Sequence, residues 1–328
     1  MSLEEIVRSL KSLGIDYKVL ETGTDGAALV LPEYGRILGL WPVWRGENAF
    51  WVNPEFFRFL EIGAKQTEWV NPGGDRMWLY PEAEFFDSGA GLPGETHGVP
   101  HALDPGKFAE VADKGVYGME NRGDLWAHRS GVRIAFKIVR RIRVYSEKEL
   151  AKLWGQTYMR QAGYDEETSL EVVDSPIVVG LWNVACLAAG GRAYLPLDRP
   201  MGAKPPARGF EVRDGCAVIP CSGEAAVKVW LDASEVKSRG AYVIDNGETG
   251  RSTLVLKEFE KVPIGRYAGE GAAGFSCVGG HSPSCEMAFR SSATWGVGGK
   301  KKTVWRHSSW AFSGRIEEVR EFLRRITA

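Results

Sequence analysis

From Tyr17 to Phe312 the chain is a succession of short apolar runs, each closed by a Gly-, Pro-, Asn- or Asp-rich turn signal. Such runs are too short for packed helices and spaced too regularly for alternating helix and strand, so they restrict the chain to an all-β architecture of many strands. The runs include Tyr17–Leu20 and Ala27–Leu31 around Thr24-Asp25-Gly26, then Ile37–Leu40 and Phe50–Val52. Later ones are Ile177–Leu181, Val227–Leu231, Gly240–Ile244 and Ser252–Phe259. Gly131 to Tyr145 alternates Ile134, Phe136 and Ile138 with basic residues and predicts one long strand with a polar face. Asn53-Pro54-Glu55 reads as a turn, and Glu147–Arg160 as holding a short helix. With 12 Trp and 40 Gly among 328 residues, the composition agrees with a turn-rich β-protein. No repeat or linker divides the chain. The expectation is one large sandwich over residues 17–328, with residues 1–16 as a helix packed on it.

Helices are expected at both ends. Leu3, Ile6, Val7, Leu10 and Leu13 form a stripe at helical spacing, capped by Ser2 with Glu5 at capping-box distance and ended by Gly14. Ile316, Val319, Phe322, Leu323 and Ile326 form a second stripe. Glu4, Glu5, Arg8 and Lys11 interrupt the start, so it is no signal peptide, and no apolar run is long enough to cross a bilayer. The expected location is the cytoplasm. A formal net charge of -1 argues against general nucleic-acid binding. No Gly-rich dinucleotide or phosphate loop is present, so no cofactor is expected. The sequence leaves the oligomeric state open.

The segment Asn71 to Asp87 concentrates the chemistry. A turn at Asn71-Pro72-Gly73-Gly74 leads into a strand, Met77–Tyr80, with Asp75 and Arg76 before it and Glu82 after it. Trp78 and Tyr80 share a face. Aromatic rings beside an Arg and a Glu suit a sugar ring, whose C–H face stacks while its hydroxyls hydrogen-bond. The same pattern also describes a hairpin with core aromatics and solvated charges. Arg36 and Arg76 together would fit an acidic or phosphorylated sugar; alternatively they are structural partners of Asp75 or Glu82. His97 and His101, with Glu95 and Asp104, lie in a long Gly- and Pro-rich loop, 87–107, that could bind a cation or supply an acid, or be solvated loop. That loop and 197–208 are expected to rim the same cleft as Arg76. Cys277, His281 and Cys285 resemble a metal cluster by type, but the spacing is not that of a zinc knuckle and no fourth ligand is evident, so no metal is expected. Cys216 and Cys221 flank a short apolar run, and a disulfide between them or with Cys277 is an open alternative.

Several segments together resemble one family. They are Gly35–Pro42, Gly73–Glu82, Val178–Val184, Lys228–Leu231, Gly240–Tyr242, Ser284–Ser291 and Trp305–Trp310. In that order they are similar to the galactose mutarotase-like superfamily, and within it to poorly characterised aldose 1-epimerase-related proteins. The resemblance implies a β-supersandwich with a sugar cleft on one curved face. It implies Glu286 as general base and Arg76 as the arginine that orients the sugar. The central segment, where the family's mutarotases place an acid His, has Trp182 and Asn183 instead. His281, in the loop before Glu286, is the candidate replacement acid. The resulting expectation is a carbohydrate-active protein, an acid–base sugar epimerase (an isomerase), with a non-catalytic carbohydrate-binding protein as the alternative. The expected substrate-binding residues are Arg36, Arg76, Trp78, Glu82, Trp182 and Asn183. Glu286 is expected to face Arg76 across a pocket, with a gap wide enough for a sugar hydroxyl.

Overall fold

The structure is a computed structural model describing residues 1–61, 69–86, 98–113, 115–155, 157–198, 209–261, 271–277, 282–294 and 299–328. Two large antiparallel sheets dominate it. The first holds β1 (Lys18–Thr22), β2 (Gly26–Leu31), β3 (Arg36–Trp41), β4 (Asp75–Tyr80), β9 (Val179–Ala188), β13 (Val227–Leu231), β16 (Ala273–Cys277) and β17 (Ser284–Thr294). Its spatial order is β1-β2-β3-β4-β9-β17-β16-β13. The second holds β5 (Ala109–Asp113), β6 (Val116–Ala127), β7 (Val132–Val144), β8 (Arg160–Val173), β10 (Arg192–Pro196), β11 (Glu211–Arg213), β12 (Cys216–Pro220), β14 (Arg239–Asn246), β15 (Arg251–Phe259) and β18 (Lys300–Arg315). The order there is β11-β12-β10-β14-β15-β18-β8-β7-β6-β5. The all-β sandwich expected from the turn-punctuated runs is therefore what the chain forms.

Alternation along each strand divides its residues between two faces. In β4, Asp75, Met77 and Leu79 point toward the second sheet, since Asp75 is bonded there by Tyr164 of β8 and Lys257 of β15. Met77 and Leu79 join a core shared with Ile138, Leu170 and Val255 of that sheet. Arg76, Trp78 and Tyr80 consequently lie on the outer face of the first sheet. Register carries that face across to β9, where Trp78 pairs with Trp182, and to β17, where Glu286 pairs with Cys186.

The terminal helices form as their stripes predict. In α1 (Leu3–Leu13) the Ser2 N–H donates to Glu5 Oε2 at 2.7 Å and the Glu5 N–H to Ser2 Oγ at 3.3 Å, while Gly14 stops the helix at φ 68°. Leu3, Ile6 and Leu10 pack on Leu29, Leu38 and Trp41, covering one end of the first sheet. The C-terminal helix, α5 (Ile316–Thr327), buries Val319, Phe322, Leu323 and Ile326 on Leu254, Leu256 and Phe312 of the second sheet. Two shorter helices precede it in the chain, α3 (Glu82–Phe85) and α4 (Glu147–Trp154). One expectation fails locally: Asn53-Pro54-Glu55 is the start of a helix, α2 (Pro54–Glu61). Asn53 Oδ1 accepts from the Glu55 N–H at 3.0 Å, and Pro54 occupies the first turn, where its missing N–H costs nothing. Turn and helix start use the same residues, so the sequence signal was shared.

Candidate functional site

Three strands of the first sheet bring the central residues together on its outer face. β4 supplies Arg76, which is 3% exposed. Its Nη2 donates to Glu286 Oε1 of β17 at 2.6 Å, and its Nη1 lies 3.1 Å from the Cys186 sulfur of β9. The guanidinium also stacks 3.9 Å from the centroid of Trp78. Burial works against the charge on Arg76, but Glu286 and then Cys186 outweigh it, so its pKa lies above the ordinary arginine value. Burial pushes the Cys186 thiol up, so Cys186 is a neutral neighbour. Glu286 keeps 27% of its side chain exposed, making it the open end of an otherwise closed pair.

The expected gap between Arg76 and Glu286 is absent; they touch. A carboxylate beside a desolvated guanidinium forms the charge-assisted bond unless something else satisfies that charge, and among the described residues Arg76 is otherwise hydrogen-bonded only to a thiol.

Arg36 neighbours Arg76 but does not reach the surface beside it. It is fully buried, its Nη2 bonded to Asp104 Oδ2 at 2.5 Å and its Nη1 to the Gly73 carbonyl at 2.8 Å. The same Asp104 oxygen accepts from Trp78 Nε1 at 2.9 Å. Arg36 therefore fixes Asp104, Asp104 fixes the Trp78 ring, and that ring lies against Arg76. Asp104 thus serves this relay rather than a cation on the loop; Glu95 and His97 lie outside the described residues, as do the loop segments 87–97 and 199–208.

The remaining expected residues separate. Trp182 sits on the outer face, edge-on to Trp78 at 5.6 Å and to Trp230 at 6.1 Å. Glu82, at the start of α3, binds Lys228 of β13 with both oxygens at 3.0 Å. Asn183 points the opposite way: it is fully buried between the sheets and donates to Asp75 Oδ1 at 2.6 Å, so the outer face is closed to it. One residue of register decides this, because Asn183 neighbours Trp182 on an alternating strand. His281 lies outside the described residues.

Several contributors were missed. Cys186 was visible only as a cysteine in an apolar strand. Arg290, stacked 3.5 Å from the Trp230 centroid and 5.2 Å from that of Trp182, follows Glu286 at the even spacing that marks a shared face. The indole N–H groups of Trp69 and Trp182 and the Arg76 Nε–H have no acceptor among the described residues. Buried donors of this kind require water or a ligand oxygen.

A second charged cluster lies behind the site, between the sheets. Asp75, Arg140, Glu166, Lys257 and His307 are all buried. Arg140 grips Glu166 at 2.6 and 2.7 Å and reaches Asp75 at 3.3 Å, while Lys257 pairs with Asp75. Burial pushes Asp75 up, but Lys257 and Arg140 prevail and hold it at about 2. Burial depresses His307 to about 4, leaving it neutral at pH 7. Ligand atoms of Asp75, Glu166 and His307 lie within 4.8 Å of one another, the closeness a metal ion needs. Two cations already neutralise the two carboxylates, however, so the donor set has no charge left for a dication. The cluster is a structural core rather than a metal centre.

No family model matches the chain, and no curated protein matches it. Among solved structures, it is similar to a galactose mutarotase-related enzyme from Lactobacillus acidophilus, with 9% identity, a TM-score of 0.45, and 92% of this chain and 99% of that one covered. It is also similar to galactose 1-epimerase from Lactobacillus acidophilus NCFM, with 13% identity, a TM-score of 0.35, and 90% and 93% covered. A third is 4-alpha-glucanotransferase from Thermococcus litoralis, with 11% identity and a TM-score of 0.35; 93% of this chain spans 41% of that one. At these identities and scores the likeness reaches neither substrate nor chemistry.

Proposed function

We propose that this protein binds a carbohydrate on the outer face of the first sheet, at Glu286, Arg76 and the tryptophans Trp69, Trp78, Trp182 and Trp230. The observation that carries the reading is the half-open ion pair. Arg76 is spent on orienting Glu286 through Oε1, which leaves the exposed part of that carboxylate to accept from ligand hydroxyls. Partly buried Trp69 and Trp230 offer ring faces beside it. An acidic or phosphorylated sugar would need both Arg36 and Arg76 at the ligand. Arg36 is occupied by Asp104, so neutral hydroxyls suit the face better.

Direct pairing favours binding over catalysis. A general base needs a carboxylate oxygen free to reach the proton it takes, and Oε1 of Glu286 is already occupied by Arg76 Nη2. His307 is buried between the sheets beside Glu166, on the opposite side of the first sheet from Glu286. Epimerisation stays as a second reading on one observation, the exposure of the Glu286 carboxylate.

Titration calorimetry against a panel of neutral aldoses and disaccharides tests the proposal. A ligand with Kd of about 1 mM or tighter is expected, weakened about tenfold in Glu286→Gln, which corresponds to about 1.4 kcal/mol. Absence of binding to every sugar removes the proposal. Polarimetry on the same sugars separates the two readings, since anomer interconversion abolished by Glu286→Gln makes the protein an epimerase.

A further inference from the structure

On the outer face of the second sheet, α5 and the strands β10, β12 and β14 bound a cavity of about 730 Å³. Strand alternation aims residues into it. Ala193 and Leu195 of β10 belong to the core between the sheets, so Arg192 and Tyr194, which alternate with them, emerge on the opposite side. On β14, Val243 packs under α5, and Asp245, two residues on, shares its face. Arg320, Leu323 and Arg324 enter from α5 at positions that share one helix face. Arg213 and Asp214 join from the end of β11 and the turn after it. Cys221 also reaches the wall, but its side chain belongs to the core between the sheets. All five cysteines are free thiols, so no disulfide joins Cys221 to Cys216 or Cys277.

Four arginines and two aspartates therefore line one cavity. Asp245 is fully used: Oδ2 accepts from Arg320 Nη2 at 2.7 Å and Oδ1 from the Ser252 hydroxyl. Arg213 is answered by Glu211, its neighbour on β11, at 2.7 Å. Arg324 donates through Nε to the Arg320 carbonyl at 3.4 Å and meets no carboxylate among the described residues. Among the same residues the Arg192 side chain makes no hydrogen bond or ion pair, and neither does that of Asp214. Counting Glu211, four cations face three carboxylates, and the two guanidiniums without a carboxylate are Arg192 and Arg324. Guanidiniums that line one cavity repel one another, and an anion among them replaces that repulsion by attraction.

We propose that this cavity binds the phosphate group of a small soluble molecule, held by Arg192 and Arg324, with Arg320 shared between the phosphate and Asp245. A phosphate group carries close to two negative charges at pH 7 and spreads its oxygens tetrahedrally. Two planar guanidinium forks arriving from different elements, β10 and α5, can then each meet a pair of oxygens, whereas a planar carboxylate fills one fork. The cavity falls within the size range of small-molecule sites and exceeds what phosphate alone fills. Tyr194, Val243 and Leu323 wall the remainder, so an organic body attached to the phosphate has room beside apolar surface. The carbohydrate face belongs to the other sheet, so neither site depends on the other.

Titration calorimetry of the full chain at low salt, with inorganic phosphate and with glycerol 3-phosphate as probes, tests the proposal. A Kd of about 1 mM or tighter is expected for at least one of them. Arg192→Ala and Arg324→Ala are each expected to weaken it about tenfold, the loss of a charge-assisted contact. Arg325→Ala is expected to leave it unchanged. That variant removes the same charge from the same end of α5, but Arg325 donates to the Trp154 carbonyl at 3.0 Å and does not line the cavity. All three arginines are exposed, so the variants keep the fold. Tighter binding of the ester makes the ligand an organic phosphate, and equal or tighter binding of inorganic phosphate makes it the free anion; both uphold the site. No binding of either probe up to about 10 mM overturns it. So does a loss in Arg325→Ala equal to that in Arg192→Ala, because binding would then follow net charge alone. Phosphate binding abolished by Glu286→Gln also overturns it, by placing the anion on the first sheet.

Discussion

His307 is enclosed with both ring nitrogens lacking a hydrogen-bond partner among the described residues, and its Nε2 stands 3.6 Å from Glu166. Its folded pKa of about 4 lies below the ordinary value of about 6.5. Between those two values the unfolded chain takes up a proton that the folded chain refuses. Stability contributed by neutral His307 is therefore present above about pH 6.5 and is lost as pH falls toward 4. From pH 7 to pH 5 the loss is expected to be about 2 kcal/mol, read as a fall in urea midpoint at constant slope. Asp75, held at about 2, adds a separate loss only below about pH 4, because a depressed carboxyl gives up its contribution as pH descends through its folded value. His307→Gln is expected to flatten the pH 7 to 5 segment and leave the acid segment in place. An unchanged slope between pH 7 and 5 in that variant would show that His307 is not the titrating group.

At the scale of elements, the placement of β4 rests on two glycines. Gly73 and Gly74 have φ of 88° and 71°. A Cβ on Gly74 would stand 2.6 Å from the Ile37 carbonyl oxygen and 2.7 Å from the Leu38 Cα, and both belong to backbone that cannot swing aside. β3 and β4 share a single register pair, Ile37 with Asp75, so this turn sets where Arg76 emerges. Gly74→Ala is expected to cost about 3 kcal/mol from the left-handed conformation and the close approach together. It is also expected to weaken any ligand held by Arg76 and Glu286. Denaturant midpoints and calorimetry read the two effects, and a variant with parental stability would show that β4 tolerates displacement from β3.

For the whole molecule, we propose that residues 17–328 unfold as one unit with residues 1–16 packed on it. One core cluster draws residues from both sheets, and Asp75 of the first sheet is tied to Arg140, Tyr164 and Lys257 of the second. Separating the sheets would expose the apolar core that both share and break these buried contacts together, so partial opening is disfavoured. Far-ultraviolet and near-ultraviolet circular dichroism are expected to trace superimposed denaturation curves. Two resolved transitions would divide the chain into separate units. Among the described residues no helix is long and apolar enough to cross a membrane.

What the sequence determined by itself were properties carried by local pattern. The spacing of Leu3, Ile6 and Leu10 and the Ser2 cap produced α1, the stripe ending in Ile326 produced α5, and the alternation from Gly131 to Tyr145 produced β7. Alternation also separated Glu286 from Cys285 and Met287 correctly, since side chains in a strand change face at every residue. Tertiary structure alone decided which charges meet. Arg36 could have paired with Asp75, Glu82 or a ligand, and loop 98–108 supplied Asp104 instead. Arg76 and Glu286 are 210 residues apart, and whether they touch or leave a gap depends on strand register and the polarity of Cys186 between them. Asn183 lay on the wrong face by a single residue, and the shared core of Cys221 with Cys277 and Cys285 required two sheets to stack. Pattern fixes the periodicity of an element because it is a property of the backbone, whereas partner choice is a long-range competition among buried charges that only packing resolves.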